Sequence, residues 1–133
     1  MARWIRITAG SVSATATLDD SPTARAIWDA LPLKARAETW GDEIYFAIPV
    51  RLPEDGARAV VQLGDLGYWP PGRAFCIFFG PTPASGEGEI RPASPVNVFG
   101  RVDGGATVFK RVRAGTLVRL ERPPAAERQG RPA

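Results

Sequence analysis

At 133 residues, with 44% hydrophobic and 23% charged positions, the chain has the size and make-up of one globular domain that can bury a core without staples. Histidine is absent, which excludes Ser-His-Asp and Cys-His nucleophilic sites and imidazole zinc ligands. The net charge of +3 is unevenly spread, with nine Lys/Arg against three Asp/Glu in residues 91–133 and eight against eleven in residues 1–90.

Thirteen prolines and fourteen glycines punctuate the chain and favour short strands over long helices. The opening MARWIRITAG alternates polar and apolar residues, and no stretch has the length of a signal peptide core or a membrane span. This points to a cytoplasmic protein with no membrane partner. Residues 4–7 and 12–18 read as two strands of a hairpin turning at Ala9-Gly10. Asp19-Asp20-Ser21-Pro22 starts a helix: Ser21 can cap its free amides and Pro22 suits the first helical position. Pro32 limits that helix to about residues 22–31, and Ala24, Ile27, Trp28 and Leu31 form one apolar stripe along it. Trp28 is expected to be a core anchor.

Further strands are expected at 35–40 and 43–48, around Gly41-Asp42, and then at 60–62, 66–69, 74–79, 96–102, 106–112 and 116–121. Pro70-Pro71-Gly72 suits a type II turn, with the positive φ at Gly72. Asp103-Gly104-Gly105 and Ala114-Gly115 suit hairpin turns. The lone Cys76 lies in an apolar run and reads as a small buried hydrophobe. The stretch TPASGEG at 82–88 is a polar loop suited to motion and binding. After Arg122, the tail at 123–133 lacks periodic apolar content and reads as disordered, which leaves residues 1–122 as the domain.

The strings SPTARAIWDALP from Ser21, WGDEIYF from Trp40, GDLGYWPPG from Gly64, CIFFGPTP from Cys76 and PVNVFGRV from Pro95 stand in one order over about residues 2–122. With them the chain resembles a group of small prokaryotic cyclophilin-like proteins of unassigned biochemical role. FAIP at 46–49, Gln62, Gly64-Asp65 and NVFGRV at 97–102 extend the resemblance to cyclophilins proper. It implies a mainly β fold, a closed antiparallel cyclophilin-like barrel of about eight strands capped by one short helix. In cyclophilins an arginine weakens prolyl amide resonance, and isomerisation without such help faces a barrier near 20 kcal/mol. The resemblance puts Phe46 at that arginine's position, matches Gln62 to the groove glutamine, and places Val96 and Arg91 where a groove histidine and tryptophan stand. Arg91 or Arg73 could supply the missing guanidinium.

Among the acidic residues, Asp42, Glu43 and Asp65 adjoin glycine corners beside aromatics. Paired-carboxylate hydrolysis needs two of them about 5 to 10 Å apart. Asp42 and Glu43 face opposite ways on a strand, and turn-forming aspartates are the simpler reading. The sequence therefore points to no metal and no cofactor. Arg111, Arg113, Arg119 and Arg122 alternate with apolar residues without interleaved stacking aromatics, which argues against nucleic acid and for outward-facing strand positions. Most aromatics fill the barrel, whereas Tyr45, Trp69 and Phe79 can line a cleft, with Phe46 beside them, Gln62 to pair with backbone and Arg91 to supply charge. The expectation is a groove for a peptide or small-molecule ligand, with weak prolyl isomerase activity as the alternative. A homo-oligomer stays open.

Overall fold

Alternating side chains set the first hairpin. In β1 (Arg3–Ala9) and β2 (Val12–Leu18), Ile5, Ile7, Ala16 and Leu18 turn inward and are buried, and the two strands pair antiparallel with Ala9 opposite Val12. The computed structural model describes residues 3–124. The proposed tail falls almost wholly outside them.

The helix α1 (Pro22–Ala30) begins as its sequence dictates, with the Ser21 hydroxyl accepting from the Ala24 amide at 3.1 Å. Ala24, Ile27 and Leu31 are buried. Trp28 packs against the core from the same stripe but is only partly buried, and the guanidinium groups of Arg3 and Arg122 lie over its ring, at 5.6 and 4.9 Å from the ring centre.

The remaining strands are β3 (Leu33–Arg36), β4 (Glu38–Thr39), β5 (Glu43–Ala47), β6 (Asp65–Trp69), β7 (Ala74–Phe78), β8 (Asn97–Val102) and β9 (Leu117–Glu121). They form one antiparallel sheet in the order β3-β9-β1-β2-β8-β6-β7-β5-β4. The two outermost strands, β3 and β4, are consecutive in the chain and separated by Ala37 alone. One extended segment thus pairs with β9 on one side and β5 on the other, and the nine-stranded sheet curls into a nearly closed barrel. The strand expected at 35–40 is cut in two at Ala37, whose backbone bonds to Thr116 and Gly115 before the chain crosses to β5.

Three other elements depart from expectation. Residues Ala106–Arg111 form a 3-10 helix. The buried members of this stretch are Ala106, Phe109 and Val112, spaced three apart, which suits a 3-10 turn and not the period of two of a strand. Pro70–Gly72 is likewise a 3-10 turn, and the left-handed residue is Arg73, with φ 49°. Two prolines fix compact φ values in succession, and Gly72 serves close approach instead: a Cβ there would stand 2.7 Å from ring carbons of Trp69. The segment 60–62 makes only a single bridge, Val61 to Ile90, because the Asp65 carboxylate takes the Gln62 amide at 2.8 Å and turns the chain.

The barrel interior is packed by Phe46, Phe75 and Phe99 among aliphatic residues, with Phe46 and Phe75 stacked at 5.3 Å. A second, smaller apolar cluster lies apart from this interior and contains Val61, Ala74, Cys76, Phe78 and Val96. It occupies the outer face of β5, β7, β6 and β8, since its strand members alternate with the inward ones.

Candidate functional site: a cleft on the outer face of the barrel

Over that second cluster opens a cleft of about 240 Å³, lined by Trp40, Glu43, Tyr45, Trp69, Pro92, Ala93 and Val96. Glu43 and Tyr45 are alternate residues of β5 and face outward together, while Ile44 and Phe46 between and beyond them face the barrel interior. Cys76 stands opposite Tyr45 on β7 and opposite Gly67 on β6, within the same outer face. Gly67 has to be glycine: a Cβ there would come within 2.8 Å of the Val96 side chain and 3.2 Å of Phe78.

Trp69 ends β6 and is held from two sides. Its ring lies against Gly72, and its indole N–H donates to the Ser94 hydroxyl at 2.6 Å. The loop that carries Ser94, Pro92 and Ala93 is tied down by its own bonds. Ser85 Oγ accepts from the amides of Thr82 and Arg91, at 2.9 and 3.0 Å, and the Thr82 hydroxyl donates to the Arg91 carbonyl. The 82–88 stretch, read from sequence as a mobile binding loop, is therefore an internally bonded support for one wall of the cleft.

Glu43 is the one carboxyl among the lining residues of the cleft. It is a buried acid at the cleft, and burial pushes its carboxyl up from 4.5 to about 7, opposed in part by the neighbouring Cys76 thiol. Burial, then the Glu43 carboxylate, pushes the Cys76 thiol well up in turn, so that this cysteine is an inert neutral neighbour. Glu43 was one of three acidic candidates. The other two are accounted for locally: Asp65 accepts from the Gln62 amide and from Arg101, and Asp42 stands 3.8 Å from Lys110.

Of the six binding residues expected from sequence, Tyr45 and Trp69 meet in the cleft. Phe46 and Phe79 do not join them. Phe46 points into the barrel because it follows Tyr45 on the strand, and Phe79 is buried in the interior beside Phe109, with ring centres 6.3 Å apart. Gln62 is exposed and is not among the cleft's lining residues, and Arg91 is engaged by Glu89 at 2.7 Å, one residue short of the lining Pro92. Val96, a groove position by the resemblance, does line the cleft. Sequence reading missed Trp40, Pro92 and Ala93, which come from a strand end and a loop with no periodic signal.

Against this geometry, the family model described as cyclophilin-like matches residues 3–121. The chain is a member of the cyclophilin-like family. Among solved structures, the cyclophilin-like chain is similar to a hypothetical protein from Archaeoglobus fulgidus, known in solution, at 44% identity and a TM-score of 0.79, covering 92% of this chain and 95% of that one. No curated protein matches. In this barrel Phe46 lies in the apolar interior, and Glu43 and Tyr45 line the cleft on the opposite face of the strand.

Proposed function

We propose that this cyclophilin-like protein is a binding module whose outer cleft takes a small molecule or a short stretch of peptide and performs no bond-making chemistry on it. The carrying observation is that three aromatic side chains, Trp40, Tyr45 and Trp69, line one concave site together with a single carboxyl, Glu43. The Trp69 wall, held by Gly72 and Ser94, is preorganised, which lowers the ordering cost of binding. Among the described residues lining the cleft none carries a guanidinium, and the two arginines that could replace one are placed elsewhere. Arg73 is an exposed turn residue and Arg91 is paired with Glu89. This supports binding over prolyl isomerisation, whose catalysis needs a donor at the prolyl nitrogen.

A short X-Pro peptide mixed with the protein and followed by exchange NMR tests the reading. Peptide resonances should broaden without faster cis-trans exchange, and Trp69→Ala should weaken the interaction by about tenfold or more, equivalent to about 1.4 kcal/mol. Exchange at the rate of a cyclophilin control, or full affinity in Trp69→Ala, would overturn it.

A further inference from the structure

An apolar groove for a neutral ligand has no use for a buried acid. Yet Glu43 lies among Trp40, Tyr45 and Trp69, and no basic residue lines the cleft among the described residues. The titratable groups facing Glu43 are Tyr45 beside it on β5 and Cys76 on β7; the loop wall of Pro92 and Ala93 contributes none. The cation Lys110 is paired with Asp42, at 3.8 Å, and does not line the cleft. The acid is left without a cationic partner in a site walled by aromatic rings.

We propose that the cleft binds an alkylated ammonium group, with the aromatic rings and the Glu43 carboxylate as its counter-charge. This rests on the reading of the cleft as a ligand site. Aromatic faces attract a cation, and a desolvated carboxylate adds a full opposite charge. The alkylated form fits better than a primary ammonium. A primary ammonium brings three strongly hydrated N–H donors to a site with one carboxyl acceptor, whereas a methylated head spreads its charge over carbon and packs against apolar walls. The acid's elevated titration near neutrality is what an ionisable group shows while its cation is away, and the arriving cation favours its charged form. Binding below neutrality therefore expels the Glu43 proton to solvent.

Calorimetry with choline and with its uncharged isostere, 3,3-dimethylbutan-1-ol, tests this directly. At about pH 6.5, choline should release protons, read from the dependence of the heat on buffer ionisation, and at about pH 8.5 it should release almost none. Choline should bind the native protein about tenfold or more tightly than the alcohol. Glu43→Gln should remove the proton release and that preference, and its cooperative urea unfolding shows that the variant is folded. A trimethyl-lysine peptide run in parallel separates a modified side chain from a free small-molecule quaternary ammonium by which of the two binds more tightly. Equal or tighter binding of the alcohol to the native protein, or proton release that persists in Glu43→Gln, would overturn the proposal while leaving the cleft as a neutral ligand site. Binding of neither probe would overturn it as well, and the fate of the cleft would then rest on the X-Pro peptide and Trp69→Ala.

Discussion

Burial of the Glu43 carboxyl ties the stability of the barrel to pH with a defined sign. Below about 4.5 the group is protonated folded and unfolded and costs nothing. Between 4.5 and about 7 the unfolded chain ionises first, so the folded state loses stability as pH rises, and above about 7 the deficit is constant. A shift of that size corresponds to about 3 kcal/mol. Glu43→Gln should therefore stabilise the protein by about 1 to 3 kcal/mol at about pH 8 and by almost nothing at about pH 4, measured by urea unfolding of both forms. Equal stability of the two at both pH values would mean that the carboxyl is solvated, and the basis for its role in the cleft would fall. From sequence this residue could be recognised only as one of three acids near glycine corners. Its distinction comes from strand alternation combined with a loop some fifty residues later, and no local pattern encodes that closure.

The helix and the β6 strand show where element-level reading succeeds and where it stops. Ser21, Pro22 and the stripe Ala24, Ile27, Leu31 are local signals, and the helix forms where they place it. Trp28 belongs to the same stripe by spacing, but two arginines from distant strand ends meet over its ring, which the helix sequence cannot reveal. Ile27→Ala should cost about 2 to 5 kcal/mol by leaving a cavity under the helix. Trp28→Ala should cost only about 1 to 2 kcal/mol, through lost cation–π contact and partial burial. Chemical denaturation of both variants orders them, and a larger loss at Trp28 would make it, and not Ile27, the main anchor of the helix. On β6, Gly67→Ala places a methyl against Val96 and Phe78, and should destabilise by about 1 to 3 kcal/mol through overpacking. An unchanged unfolding midpoint in Gly67→Ala would show that Val96 is free to move and that the cleft floor is soft. The 3-10 turn at Ala106–Arg111 was misread for a related reason. Its Val108-Phe109 pair and flanking polar residues imitate a strand, and only burial shows the period of three.

At the scale of the whole molecule, the barrel was legible because it is written many times over, in paired strands, turn residues and long shared strings of sequence. The seam is subtler. A single segment crosses from β9 to β5 at Ala37, and that crossing brings Trp40 to the rim of the cleft. Of the four arginines expected at outward-facing strand positions, only Arg119 is on a strand, exposed on β9; Arg111 is exposed on the 3-10 helix, Arg113 is exposed just after it, and Arg122 lies partly buried over Trp28 beyond the end of β9. None of the four lines the cleft. Among the described residues no helix is long and apolar enough to cross a membrane. The outer cleft is the proposed ligand site. Backbone and indole chemical-shift mapping by 1H–15N NMR, in titrations with choline and with an X-Pro peptide, tests it most directly. The largest shifts should fall on the amides of Tyr45, Trp69 and Val96 and on the Trp69 indole N–H bonded to Ser94. Shifts gathered on the arginines of β9 and its approach, with the Trp69 indole unmoved at saturation, would contradict it.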